Sequence, residues 1–275
     1  MNVFSQPFAL MGIVNVTPDS FYDGGKFAST EKAVKQCMRL VDEGAAVIDI
    51  GGASSRPGAR PVSEDEEMKR ILPVIRECSK KISVPISVDT TRARVARAAA
   101  ALGATWINDI SAGRDDPAMK QFIAQSGCTV VLMHSRGTPQ TMQQCTSYGT
   151  VVDEVKNELL ASVDSFCSAG AAKEKIVIDP GIGFAKTAQQ NIELLRGLDA
   201  FVATGFPVLV GTSRKSFIGQ ITGRQTDDRL AGTLGSVAAA FARGARLFRV
   251  HDVAVTLDFL KVLCAIENHA AGNTL

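Results

Sequence analysis

The stretch Pro207-Val-Leu-Val-Gly-Thr-Ser-Arg-Lys-Ser-Phe-Ile-Gly219 passes from a short apolar run into a cationic, hydroxyl-rich turn, and the recurrence of that design along the chain sets the architecture. Val208, Leu209 and Val210 have the length and composition of a parallel strand covered on both faces. Thr212 and Ser213, ahead of Phe217 and Ile218, read as the cap of the next helix, which leaves Lys215 just past a strand's carboxyl end. Taken alone, the stretch reads equally well as an ordinary turn with a solvated Arg214-Lys215 pair.

The same design appears on either side of it. Ala9-Leu-Met-Gly-Ile-Val-Asn15, Val47-Ile-Asp-Ile-Gly51, Ile86-Ser-Val-Asp89, Trp106-Ile-Asn-Asp109, Thr129-Val-Val-Leu-Met-His134, Ile176-Val-Ile-Asp179 and Leu247-Phe-Arg-Val-His251 are apolar runs, nearly all ending in a side chain able to hydrogen-bond. Segments of helical period lie between them. Thr30 is expected to cap a helix whose apolar face is Ala33, Val34, Cys37, Met38 and Val41, ended by Gly44. Ser63 with Glu66 reads as a capping box for a helix from Glu64 to about Lys81, and residues 230–243 form an Ala/Gly-rich helix. The first two strand-to-helix loops, residues 16–25 and 52–61, are unusually long. Eight strands, each followed by a helix, imply a parallel sheet, and that count is the one a closed (β/α)8 TIM barrel needs. A doubly wound open sheet is the alternative, but no G-x-G-x-x-G fingerprint opens a helix here.

The chain has 275 residues, which suits one barrel domain spanning 1–275. Hydrophobic residues at 45% and charged residues at 21% are the proportions of a globular enzyme and not of a disordered or fibrous chain. With 30 basic and 28 acidic residues, the net charge of +2 implies neither a nucleic-acid nor a membrane partner, so any anionic ligand must be held by local charge. Cys37, Cys78, Cys128, Cys145, Cys167 and Cys264 show no Cys-x-x-Cys pair and follow no secretory leader, as expected of reduced thiols in a cytoplasmic protein. No run approaches the roughly 18 consecutive apolar residues of a membrane span.

In a barrel every strand's carboxyl end opens on one face, so Asn15, Asp49, Asp89, Asn108, Asp179, Lys215, Arg249 and His251 are expected to converge. Individually each has a bland reading: Asp49 can brace the Gly51-Gly52 loop and Asp109 can cap the segment after it. Together they divide by chemistry. Asp89, Asn108 and Asp179 suit a flat heterocycle bearing N–H donors and a carbonyl. Lys215, Arg249 and His251, with Asn15, suit a phosphate or diphosphate. Asn15 and Asp23 offer hard oxygen ligands for Mg2+. Covalent catalysis has no support, since there is no G-x-S-x-G elbow and no base positioned beside a cysteine.

The motifs that carry these residues resemble the dihydropteroate synthase family of pterin-binding enzymes in folate biosynthesis. They are Asn-Val-Thr-Pro-Asp-Ser-Phe at 15–21, Ser-Ser-Arg-Pro-Gly at 54–58, Ser-Val-Asp-Thr at 87–90, Ile-Asn-Asp-Ile at 107–110, Asp-Pro-Gly-Ile-Gly-Phe at 179–184, Ser-Arg-Lys-Ser at 213–216 and Arg-Val-His-Asp at 249–252. The resemblance implies a (β/α)8 transferase that condenses (7,8-dihydropterin-6-yl)methyl diphosphate with 4-aminobenzoate, assisted by Mg2+ and acting as a homodimer. Matched by motif, Asp89, Asn108, Asp179 and Lys215 would hold the pterin, while Asn15, Arg249 and His251 would hold the diphosphate, with Asn15 and Asp23 at the metal. Phe21, Ser55, Arg56, Pro57, Phe184 and Ser213 would shape the 4-aminobenzoate site. Of these, Lys215, Asp89, Arg249 and His251 would carry the catalysis.

Three positions depart from the family pattern. Ala53 and Ser55 stand where Glu and Thr are usual, and Ala185 where Gly is common. They bear on the shape of the 4-aminobenzoate pocket and so on the response to sulfonamides, whose target the resemblance implies this enzyme to be. Two rival readings are a methyltetrahydrofolate-binding methyltransferase domain and a catalytically silent pterin-binding homologue. The Ser-Arg-Lys-Ser turn and the Arg-Val-His end argue against both, because they are suited to diphosphate. The composition of residues 54–61 further predicts a second loop that is mobile until pterin diphosphate binds, with 4-aminobenzoate entering second.

Overall fold

The structure, a computed structural model, describes residues 3–17, 25–54 and 58–267. Eight parallel strands, β1 (Ala9–Asn15), β2 (Val47–Gly51), β3 (Ile86–Asp89), β4 (Trp106–Asp109), β5 (Thr129–Met133), β6 (Ile176–Asp179), β7 (Leu209–Val210) and β8 (Leu247–Val250), are hydrogen-bonded in the order β6-β5-β4-β3-β2-β1-β8-β7. The two ends of this sheet also meet. Ile178 lies opposite Val208 and its N–H donates to the Pro207 carbonyl at 2.9 Å, so the sheet closes into the expected (β/α)8 barrel.

The helices wrap the outside. They are α1 (Gly25–Asp42), α2 (Glu64–Cys78), α3 (Ala93–Ala100), α4 (Ala118–Ser126), α5 (Val151–Ser168), α6 (Ala188–Arg196), the short α7 (Asp199–Val202), α8 (Ser216–Thr222), α9 (Leu230–Phe241) and α10 (Val253–Ile266). None of the described helices is long and apolar enough to cross a membrane. The small residues of α9 serve close packing within the chain: a Cβ on Gly232 would come 2.2 Å from Ile218 Cγ2 on α8. No disulfide links the six cysteines.

Strand parity explains how the barrel positions its polar residues. Successive strand residues point to opposite faces. The outward set, including Leu10, Ile48, Ile50, Val88, Ile107, Val130, Ile178, Val210 and Phe248, is buried against the helices in the main core. The inward set forms a separate apolar cluster of Ala9, Met11, Val47, Trp106, Val131, Val177, Leu209 and Leu247, which plugs the barrel at the strands' amino ends. Two residues further along, the same parity turns Asp49, Asn108, Asp179 and Arg249 inward, and register carries Asn15 opposite Gly51, Gly51 opposite Asp89 and Asp89 opposite Asn108. The barrel is therefore apolar at the bottom and charged at its mouth.

Several boundaries differ from the sequence expectation. The first helix starts at Gly25, so Thr30 lies inside it and is not its cap; Ser and Thr are cap formers that helix interiors also tolerate. Ser63 does cap α2, its hydroxyl accepting from Glu66 N at 3.2 Å, but Glu66 turns to Arg70 instead of closing the box. That helix ends at Cys78, short of Lys81. The complete capping box lies at Thr187 and Gln190, at the head of α6. Thr212 and Ser213 do not cap α8, which opens after Lys215. The Ser213 hydroxyl is drawn instead to the neighbouring strand end, where His251 N donates to it at 3.2 Å and His251 Nδ1 lies 2.9 Å away.

Candidate active site

The centre of the mouth is a buried ion network on β2, β3, β4 and β8. Arg249 Nε donates to Asp49 Oδ2 at 2.6 Å and Arg249 Nη2 to Asp89 Oδ2 at 2.9 Å, while Asn108 Nδ2 reaches the same Asp49 oxygen at 3.0 Å. Asp49 is fully buried and so is not a loop brace. It is the residue that fixes both the guanidinium and the amide. Two acceptors in this network, Asp49 Oδ1 and Asn108 Oδ1, are buried with no hydrogen-bond partner among the described residues. Unsatisfied buried acceptors are costly, and a donor-rich ligand would relieve them. Asp109, next to Asn108, is spent locally: it accepts from Ser111 N, Ser111 Oγ and Gly113 N at 2.8, 2.7 and 2.8 Å.

β6 delivers the second part. Asp179 is buried, and its Oδ1 accepts from Gly181 N at 2.7 Å. The turn after it carries Phe184, over whose ring Lys215 Nζ stands 4.1 Å from the centroid. Gly183, at φ +86°, makes room for the Lys215 stem, since a Cβ there would come 3.0 Å from Lys215 Cδ. Lys215 points into the site, but its neighbour Arg214 points away, bound through Nε and Nη2 to the Asp252 carboxylate at 3.1 and 2.7 Å. The two basic residues of the turn thus have separate duties, and Arg214 is the structural one, held at φ +57°.

Burial sets the protonation of these groups. It raises Asp89 to about 7 against the pull of Arg249, and raises Asp179 to about 6 against the Gly181 N–H and Lys215. Burial and then the nearby Arg249 lower Lys215 to about 8. These are carboxylates and an amine poised to respond to a ligand's charge and hydrogen bonds.

Asn15, Asp89, Asn108, Asp179, Lys215 and Arg249 share the mouth, with Ser213 and His251 paired at the ends of β7 and β8. Arg249, expected to face an anion, is already engaged by two carboxylates, so only its remaining N–H groups are open to one. Phe21, Asp23, Ser55, Arg56 and Pro57 lie outside the described residues. So does the centre of the second loop, but its far end is docked: Gly58 N donates to Pro139 O at 2.9 Å, and Gln140 Nε2 donates to Ala59 O. The described far end of that loop is thus hydrogen-bonded to the loop that follows β5. Its near end is tied as well, Arg70 Nη1 reaching Gly52 O at 2.9 Å.

Residues 11–251 match the pterin binding enzyme family. A dihydropteroate synthase of a Synechocystis species is 48% identical over 258 residues, covering 94% of this chain and 89% of that protein. Among solved structures, the Xanthomonas albilineans dihydropteroate synthase with 4-aminobenzoic acid superposes with a TM-score of 0.89 at 44% identity, covering 94% of this chain and 93% of that one. The Yersinia pestis dihydropteroate synthase in a sulfonamide drug complex gives 0.90 at 38% identity, covering 96% and 95%.

Proposed function

This chain belongs to the pterin-binding enzyme family, alongside the dihydropteroate synthases, which are transferases, and from that membership we propose that it joins (7,8-dihydropterin-6-yl)methyl diphosphate to 4-aminobenzoate, releasing diphosphate and 7,8-dihydropteroate. The observation that carries the reading is the pair of unpartnered buried acceptors, Asp49 Oδ1 and Asn108 Oδ1, beside the carboxylates of Asp89 and Asp179. A flat heterocycle with several N–H groups fits that acceptor set. Its donors would hold Asp89 and Asp179 ionised, and two carboxylates close to the ring would stabilise positive charge as the methylene carbon becomes cation-like. Lys215, above Phe184, would reach pterin on one side and the departing anion on the other; His251 and the free N–H groups of Arg249 would complete the anion site. Phe184 and Ser213 would border 4-aminobenzoate together with Phe21, Ser55, Arg56 and Pro57.

Mg2+ belongs to this proposal. The Asn15 side-chain oxygen lies close to Gly51, across which Asp89 stands: a Cβ on Gly51 would be 3.8 Å from Asn15 Oδ1 and 3.6 Å from Asp89 Oδ2. Mg2+ takes few protein oxygens and completes its shell from ligand phosphate and water. Asn15 and Asp23 would hold it, and when bound it would offset charge on the diphosphate. The homodimer and the sulfonamide response are part of the same reading, the latter supported by the drug complex of the Yersinia pestis protein.

Binding order follows from where the charges are. Diphosphate would supply the negative charge on which Arg56 closes directly and Asp23 through Mg2+, so 4-aminobenzoate should enter second. Titration calorimetry tests the whole reading: pterin diphosphate should bind the free enzyme, and 4-aminobenzoate should bind only once pterin or diphosphate is present. Tight 4-aminobenzoate binding to the free enzyme would refute the order. Failure to bind the pterin diphosphate would refute the function, and binding of methyltetrahydrofolate alone would favour the methyltransferase reading.

A further inference from the structure

A second charged cluster adjoins the site and has no part in the reaction described above. It centres on Lys186, an amine only 3% exposed that burial lowers to about 7 against the pull of Asp179. Its Nζ lies 3.0 Å from His134 Nδ1 and donates to Gly181 O at 3.1 Å and to Phe184 O at 2.9 Å. An ammonium carries three N–H donors and no acceptor, and these three partners satisfy it completely, whereas a neutral amine would leave one acceptor without a hydrogen. His134, also buried, is held neutral by burial and by Lys186, which lower it to about 3. Because its Nδ1 accepts, its proton sits on Nε2, which faces Glu158 Oε2 at 3.0 Å. Glu158 is in turn paired with Arg136, which also binds Glu154 at 2.9 Å and Ser147 O at 2.7 Å.

What Lys186 grips is the turn that serves the site. Gly181 and Gly183 have φ of +71° and +86°, and Ala185, a residue with a Cβ, has +51°. Such alternation is not a conformation this segment would keep unaided. It is fixed from several sides: Gly183 N donates to Asn191 Oδ1 at 2.6 Å, Tyr148 Oη to Ala185 O at 3.1 Å, and His134 N to Asp179 O at 2.9 Å. Lys186 holds the carbonyls on both sides of Gly183.

We propose that Lys186 is a positioning residue for the reaction, holding the 181–184 turn so that Asp179 and Phe184 meet the pterin and Lys215 in register, with His134 and Glu158 linking that grip to α5. The inference rests on the pterin reading of the site. Lys186 also lies close enough to Asp179 to favour its ionised form, a second route to the same ligand contact.

Lys186→Met keeps the length of the stem and removes all three donors. Well below its melting temperature, this variant should bind pterin diphosphate at least about tenfold more weakly by calorimetry and show a raised KM for 4-aminobenzoate, the scale of one lost charged hydrogen bond. A purely structural role would lower the melting temperature and the apparent kcat with the folded fraction, leaving Kd and KM at the values of the unmodified chain. Should Lys186→Met not fold, Glu158→Gln, which weakens the His134 contact and the Arg136 pair without altering Lys186, should still weaken pterin binding about twofold to fivefold, a fraction of the effect of losing the bond itself. Unchanged Kd and KM in the folded variant, beside normal binding by the unmodified chain, would overturn the inference alone. No pterin binding by the unmodified chain would overturn the proposed function and this inference with it.

Discussion

At the residue scale, the site is governed by how few solvating partners its charges have. Asp89, raised to about 7, must be ionised to accept pterin N–H groups, and Lys215, lowered to about 8, must be protonated to meet an anion. Affinity should therefore grow as pH rises through the first value and fall as it rises through the second. The expected kcat/KM profile for the pterin substrate is a narrow bell with limbs near those values, belonging to the coupled network and not to single residues. Asp89→Asn should flatten the acid limb, and a profile unchanged by it would exclude Asp89 as its source. Arg249→Ala should behave unlike the loss of a simple anion binder. It strips the cation from fully buried Asp49, so a stability loss on the order of 3–5 kcal/mol is expected, with weaker binding of pterins that carry no diphosphate as well as those that do. Denaturant melts and calorimetry would read both effects, and adding Asp49→Asn should recover part of the stability. The inward-facing residues were legible in the sequence because parity and strand ends place them. The Arg249–Asp49 contact was not, because its partners are 200 positions apart and their closeness depends on β1 lying between β2 and β8.

At the scale of elements, strands were easier to read than caps. A buried parallel strand shows itself as an apolar run, but a Ser or Thr near a helix start has several possible partners, and tertiary structure chooses among them. Ser213 goes to His251 on the next strand, Thr30 is carried inside its helix, and the complete box at Thr187 matches the same sequence signature as the half-closed one at Ser63. The family's usual Gly at position 185 also gains a physical reason, since φ there is +51° and Ala185 occupies a conformation that favours glycine. Gly181 is the sharper case. A Cβ there would come 1.9 Å from the His134 carbonyl oxygen, a backbone atom that cannot swing aside, at φ +71°. Gly181→Ala should therefore displace the whole 179–184 turn, abolishing pterin binding and lowering the melting temperature by several degrees. Ala185→Gly should leave binding intact, because it removes strain and gives back a similar amount in backbone entropy. Normal pterin affinity in Gly181→Ala would show that the turn does not position Asp179.

At the scale of the molecule, the closed barrel turns eight short strands into one polar mouth over an apolar plug, and residues distant in sequence become a single acceptor surface beside the cations Lys215 and Arg249. Topology of this kind follows from the βα count, so the architecture and the convergence of strand ends were foreseeable. The docking of the second loop was not, because Gly58 and Ala59 are held by Pro139 and Gln140 from a loop three strands away. The central claim is that this mouth catalyses the joining of pterin to 4-aminobenzoate with Lys215 at its centre. Its most direct test is product formation by the purified chain from (7,8-dihydropterin-6-yl)methyl diphosphate and 4-aminobenzoate with Mg2+, run beside Lys215→Ala. The expected result is 7,8-dihydropteroate with one diphosphate per turnover, formed at least about a hundredfold more slowly by a folded Lys215→Ala variant. No product from the unmodified chain with both substrates bound, or near-normal turnover by the variant, would contradict it.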